Sequence, residues 1–484
     1  MQPRPIRLLV LAALLAGVVV ACDDDPTAPI ATLSLVCPTG PLAVNAPIAL
    51  NFSQPVQAST VTGANVVVTD AGSGLEIPGA LALGADGRVV TFSPSSPLPF
   101  GTVLGIRAQN ILTANRATSL GVVLCNVLTA PPPIAEVVWD RLDSPTGTAL
   151  TGASLISPDS GWVSSFAVPL YRRVGRGWEV RFNQPYFISS FDVQFASALH
   201  GWATHFDSRN LRGVITETRN GGTSFDTAFT MFGRDIRRLL VDSAAFTGNT
   251  LFALAGGGTN TNATFFKRNP GNGAWSMVTD VSGTSSIHDI DHAPNDTTTL
   301  FAVSSGFRIG PPFPATYAAR TFTSTNGGAS WTEVPNARAD TGSTVAFHGV
   351  ARRTNGDVYV TGGNGFVGRL PGGNAPFTKI NLGIVSRDTL DFNALIYNDV
   401  QFAPDNNNIG WIVGAQLIGF SGGVPQYQGL VFGTKDGGAT WTRQGVRGAD
   451  EYGASFPALN QLEVLSSTKV WIVGDGGTVL SLNP

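Results

Sequence analysis

The chain has 484 residues, of which 43% are hydrophobic and 13% charged, with 57 glycines and 31 prolines. Its length allows roughly two to four domains of about 150 residues each. The low charge and the aromatic content exclude a disordered chain, and the lack of several apolar runs of about 20 residues excludes a polytopic membrane protein. A formal net charge of −3 leaves no basic footprint for nucleic acid, so nucleic acid is not an expected partner. Glycine above its usual ~7%, with charge near half the usual quarter of residues, points to many short strands joined by tight turns.

Residues 1–21 read as a secretion signal, with a basic n-region at Arg4 and Arg7 and an apolar h-region from Leu8 to Ala21. The segment is too short to span a bilayer. Its end, Val19-Val20-Ala21-Cys22, resembles a bacterial lipobox. That resemblance implies cleavage before Cys22, acylation of its thiol and new amino group, and membrane attachment through the lipid. The expectation is an exported, lipid-anchored envelope protein, periplasmic or at the cell surface. An ordinary signal peptide with an incidental cysteine is the plainer alternative. Residues 22–30, opening with three aspartates, read as a polar tether.

With Cys22 acylated, Cys37 and Cys125 remain as an even pair in an oxidising compartment, and a disulfide is the natural reading. Two buried free thiols are the alternative. Neither cysteine has a CxxC neighbour or a nearby histidine, which argues against a redox or metal role.

Between residues 31 and 130, seven β-rich runs alternate with turn signals, as a sandwich requires: 31–37, 47–56, 65–70, 75–83, 88–93, 103–109 and 121–128. Phe52-Ser53-Gln54-Pro55-Val56, Val89 to Pro94 and Pro97-Leu98-Pro99-Phe100-Gly101-Thr102 make this segment similar to the bacterial Ig-like domain of S-layer and surface proteins. The resemblance implies a spacer or stalk. Residues 131–133, three prolines, form a stiff linker.

Residues 134–484 are built on a repeat. Thr218 to Phe225, Ser324 to Trp331 and Thr434 to Trp441 are copies of one motif, Ser/Thr-x-Asn/Asp-Gly-Gly-x-Ser/Thr-aromatic. Asn220, Asn326 or Asp436 caps the turn through its side chain, Gly222, Gly328 and Gly438 supply positive φ, and Phe225, Trp331 and Trp441 pack inward. The motif matches the Asp-box of BNR repeats, where these residues are structural. Asn220 and Asn326 are 106 residues apart, and Asn326 and Asp436 are 110, each twice a repeat of about 50. Degenerate copies fill the gaps at Asn269 to Trp275 and Pro371 to Phe377, and another lies at Arg173 to Trp178. Gly161-Trp162, Gly201-Trp202, Gly410-Trp411 and variants led by Phe252, Phe301, Tyr359 and Trp471 mark the preceding strands of seven units. Val137 to Leu142 resembles the segment closing the sixth repeat, so the start of the unit is expected to supply the last blade's outer strand and seal the sheet edge. The prediction is all-β: an Ig-like sandwich followed by a seven-bladed β-propeller, with six or eight blades the margin of the count.

Asp-box propellers include sialidases. Phe307-Arg308-Ile309-Gly310 resembles the sialidase motif Phe-Arg-Ile-Pro but departs from it at the glycine and in position. Glycoside hydrolysis needs two opposed carboxylates. Asp192, Asp289, Asp291, Asp399 and Glu463 lie on or near expected inner strands, though sequence establishes no pair among them. His288 and His292 sit about 13 Å apart along a strand at ~3.3 Å per residue, too far to share one zinc. Ile290 aligns instead with Val193, Val350 and Val400 of other blades. Gly410 to Gly414 with Thr434 to Trp441, and Val470 to Gly477, make the propeller similar to the photosystem II stability and assembly factor group, which implies protein binding without catalytic residues. The expectation is a binding or scaffold module for a protein or glycan, monomeric, with no catalytic, cofactor or metal residues. A glycan-processing hydrolase and a structural surface module are the alternatives.

Overall fold

The computed structural model describes residues 32–38, 41–71, 75–98, 103–130, 133–157, 159–167, 169–241, 251–256, 263–269, 273–281, 284–294, 296, 298–306, 319–338, 346–374, 376–384, 394–421, 424–447 and 456–482. The leader, the tether, Cys22 and the segment Phe307 to Gly310 lie outside them. Contacts divide the described chain into two compact units that part near Val127.

The first unit is a sandwich of seven strands. Leu35–Val36, Ile48–Phe52, Val89–Pro94 and Gly79–Leu83 make one sheet in that order; Val66–Asp70, Val103–Ala108 and Val123–Leu128 make the other. Period-2 patterning buries Ile48, Leu50 and Phe52 on one side and Leu104 and Ile106 on the other. A disulfide joins Cys37 to Cys125, with Cα atoms 5.5 Å apart.

The second unit is a seven-bladed β-propeller. Each blade is an antiparallel four-stranded sheet. The seven inner strands are Leu150–Ser157, Phe187–Phe195, Asp235–Val241, Thr284–His292, Phe347–Arg352, Leu395–Phe402 and Leu459–Ser466, and they number blades 1 to 7. Blade 7 holds only three strands from the C-terminal segment, and Glu136–Arg141 completes it, pairing antiparallel to Val479–Leu482 with Trp139 opposite Leu482. The closing strand also pairs in parallel with blade 6's outer strand, Thr442–Val446, so the two blades merge into one eight-stranded sheet. The repeat pattern carried no sign of this second pairing. Trp139 is fully buried there and donates from Nε1 to Gln444 Oε1 at 3.0 Å.

Large aromatics fill the space between blades. Trp139, Trp162, Trp202 and Trp471 are among the most deeply buried side chains, which explains why tryptophans recur at repeat positions. The three glycine turns clasp neighbouring blades together. In each, the leading Thr or Ser hydroxyl accepts from the second glycine's N–H at 2.9 Å, and the Asn or Asp side chain accepts the N–H of residue 224, 330 or 440. Gly222, Gly328 and Gly438 have φ of +78°, +76° and +85°, and each lies against an aromatic ring of the preceding blade: Trp162, Phe252 and Tyr359.

Candidate functional site

Every inner strand carries a β-bulge at the same depth, where it has an extra residue relative to its partner strand, and the inner strands of blades 1, 2, 4 and 7 have a second register shift elsewhere. The extra residues are Thr151, Phe191, Arg237, His288, His348, Asn398 and Asn460. A bulge re-aims the side chains around it, and here it sets two rings about the propeller axis. The bulge residues reach the neighbouring blades around the channel, two pairs of them touching each other. His288 stacks on His348 with ring centroids 5.3 Å apart, and Arg237 lies over Phe191 at 5.4 Å. Thr151, Asn398 and Asn460 each donate to a backbone carbonyl of the following blade, those of Ser190, Leu459 and Leu150.

The residues immediately after the bulge form the second ring: Gly152, Asp192, Arg238, Asp289, Gly349, Asp399 and Gln461. Ile290, Val193, Val350 and Val400 follow it at equivalent register, as the alignment of repeats predicts. Arg238 is the hub. Its Nε donates to Asp289 Oδ1 at 2.9 Å and its Nη2 stands 3.7 Å from Asp399 Oδ2. Burial works against the charge on Arg238, but Asp289, Asp192 and Asp399 outweigh it and hold the guanidinium firmly protonated.

The carboxylates also join blades. Asp192 Oδ2 accepts from Leu239 N at 2.9 Å, Asp289 Oδ2 from Val350 N at 3.0 Å, and Asp399 Oδ2 from Leu462 N at 2.8 Å. One level further along, Ser154 accepts from Phe195 N, Asp291 from Arg352 N and Glu463 from Leu155 N. A side chain of one blade thus accepts a backbone N–H of the next at five junctions. Of the two others, Arg238 bridges blade 3 to Asp289 of blade 4, and Asn407 joins blade 6 to Arg353 and Thr354 of blade 5.

This burial shapes the acidity of the ring. Desolvation raises Asp192 to about 6 despite Arg238, and raises Glu463 to about 8, with Asp192 and Asp399 adding repulsion. Asp399 and Asp291 are pushed up by the same desolvation, Asp399 further by its neighbour Asp289. Below them, burial lowers His288 to about 3 and His348 to about 4, so both rings are neutral at physiological pH.

Beside the second ring, at the carboxyl ends of the inner strands, the channel opens into a funnel of about 370 Å³. Asp289, Asp291, Glu463, Gln461, Arg238 and Arg352 line it together with apolar Leu155, Leu240 and Phe402. Of the five carboxylates weighed from sequence, Asp289, Asp291 and Glu463 line this funnel, and Asp192 and Asp399 stand beside it in the ring around Arg238. His288 and His292 do not converge: His288 pairs with His348 across blades, while His292 Nδ1 lies 2.9 Å from Ala293 O. Among the described residues no group of three or more His, Cys, Asp or Glu side chains is placed to hold a metal ion. Sequence reasoning missed Arg238, Arg352 and Gln461. The signal for Arg238 was its place one residue before the repeat's aligned apolar position, where other blades carry Asp.

Residues 27–114 match the family model for a bacterial Ig-like domain. No curated protein matches the chain. Among solved structures, the propeller is similar to a GH74 xyloglucanase from Xanthomonas campestris, with 14% identity, a TM-score of 0.51, and coverage of 71% of this chain and 53% of the xyloglucanase. It is also similar to YCF48 bound to a D1 peptide, with 15% identity, a TM-score of 0.49, and coverage of 73% of this chain and 100% of YCF48. At these identities the likeness is one of fold: an Ig-like domain precedes a β-propeller.

Proposed function

We propose that this protein is an exported, lipid-anchored envelope protein in which an Ig-like spacer carries a propeller that binds a protein or glycan at its funnel and catalyses no reaction. The observation that supports binding over catalysis is the engagement of the carboxylates in the funnel and in the ring beside it. Asp192, Asp289, Asp291, Asp399 and Glu463 each accept a backbone N–H from the adjoining blade. A general base or nucleophile must instead be free to meet substrate. The leader and Cys22 support the anchor, and an Ig-like spacer suits a module held away from a membrane.

One observation favours a hydrolase as the second reading. Glu463, raised to about 8, is a protonated acid at neutral pH within the same funnel as Asp289, and such perturbed carboxyls occur at catalytic sites.

Expression of the full chain in a bacterial host with a labelled fatty acid tests the anchor. Label is expected on the wild type in the membrane fraction and is expected to vanish in Cys22→Ser. Label-free, soluble wild-type protein would overturn the anchoring. The Cys22→Ser protein, applied to a glycan array and cross-linked in native envelopes, is expected to retain a discrete glycan or protein. Hydrolysis of arrayed glycans would replace this reading with the second.

A further inference from the structure

The funnel is short of positive charge. Three carboxyl groups line it, those of Asp289, Asp291 and Glu463, with Asp192 and Asp399 beside them around Arg238, and only two guanidiniums, those of Arg238 and Arg352, stand against them. Arg238 is shared between Asp289 and Asp399, and Arg352 is committed to Asp296 at 2.6 Å. An independent observation points the same way. Gln461 is 2% exposed, lines the funnel beside Glu463, and its Oε1 has no hydrogen-bond partner. A buried acceptor left unpaired costs about 1–3 kcal/mol, and a donor arriving from the funnel would remove that cost.

We propose that the funnel binds an organic cation, a primary ammonium or guanidinium on a slim aliphatic chain, with the charged head between Glu463 and Gln461. This deepens the binding reading above and rests on it. An ammonium brings three donors and a guanidinium five, enough to satisfy Gln461 Oε1 and share the carboxylates. The apolar walls of Leu155, Leu240 and Phe402 suit an aliphatic stem. A metal ion suits the site less, since the carboxylates are spread around the ring and tied to backbone N–H groups. The same chemistry is offered by a lysine or arginine side chain of a partner protein and by a free diamine, and the two sources are separated below.

Burial raises the acidity range of Glu463, which feels the charges of Asp192, Arg238 and Asp399 and shares the funnel with Asp289, Asp291, His292 and Arg352, and this gives the proposal a pH signature. A bound cation favours the ionised carboxylate. Binding therefore releases a proton and tightens as pH rises towards 8, by about tenfold per unit for one proton. The probe stays charged throughout, as alkylammonium groups titrate near 10.4.

Isothermal titration of the Cys22→Ser protein with 1,5-diaminopentane, N-acetyl-lysine amide and N-acetyl-norleucine amide tests it at pH 6 and pH 8, in buffers of differing protonation enthalpy. The cations are expected to bind, at least tenfold more tightly at pH 8 and with proton release, and the uncharged norleucine derivative is not. Preference for diaminopentane identifies a free amine as the natural ligand, and preference for the lysine amide a protein side chain; either supports the proposal. Glu463→Gln keeps an oxygen for Leu155 N while removing the charge, and is expected to weaken binding at least tenfold and flatten its pH dependence. Gln461→Met is expected to weaken it without changing the proton release. Equal binding of norleucine amide, or no cation binding while a glycan or protein is still retained, would overturn the cation and leave the binding reading intact. Turnover of glycosides would overturn that reading instead.

Discussion

Asp192 Oδ2 accepts a hydrogen bond of 2.9 Å from the backbone N–H of Leu239, which belongs to the next blade. The bond converts a buried carboxylate into a fastener between two sheets that share no ladder. Asp192→Ala leaves the Leu239 N–H buried and unpaired and takes one acid from around Arg238. The loss expected is about 1–3 kcal/mol for the orphaned donor. Asp192→Asn keeps an acceptor oxygen and should lose less. Denaturant unfolding of both variants checks the order, and equal losses would contradict the fastening role.

Gly328 has φ of +76° and sits on the ring of Phe252 in the preceding blade. Gly328→Ala must both strain the backbone and displace that ring, so it should destabilise by more than ~1 kcal/mol. Gly147, whose added Cβ meets nothing within 4 Å, serves as the control. Gly147→Ala should be neutral within about 0.5 kcal/mol.

Stability should have a broad maximum at mildly acidic pH. Glu463 is raised by burial to about 8, so its contribution is complete below the unfolded value near 4.3 and is lost as pH rises through 8. His205, His288 and His348 are lowered by burial to about 3, 3 and 4, so theirs is present above about 6.5 and is lost on acidification. The melting temperature should therefore fall between pH 6.5 and 8.5, and Glu463→Gln should reduce that alkaline loss while leaving the acid limb in place.

Trp139 fastens the closing strand to two blades at once, through Leu482 on one side and Val446 on the other. Trp139→Ala should cost about 3–5 kcal/mol, the range for a buried aromatic. Calorimetry should show the propeller transition lowered, and an unshifted transition would contradict closure by this strand.

The blades were legible in the sequence because their turns demand particular chemistry. A side-chain oxygen at Asn220, Asn326 or Asp436, a glycine at positive φ and an aromatic recur at fixed spacing, and seven units follow from counting them. The disulfide followed from cysteine parity. The site was only half legible. Asp289, Asp399 and Glu463 could be placed on inner strands, but their convergence depends on a one-residue bulge that has no residue signature, being occupied by Thr, Phe, Arg, His or Asn. A one-residue shift changes the face a strand presents. Arg238 was hidden for that reason, and the stacking of His288 on His348 joins residues 60 apart in different blades.

The central claim is that the ring of carboxylates around Arg238 serves architecture and binding rather than acid–base chemistry. The most direct test is release of chromophore from a panel of aryl glycosides and of reducing ends from xyloglucan, measured for the Cys22→Ser protein from pH 4 to 9. The account predicts no turnover above buffer at any pH. Turnover that disappears in Glu463→Gln or Asp289→Asn, in variants that still melt cooperatively, would contradict it.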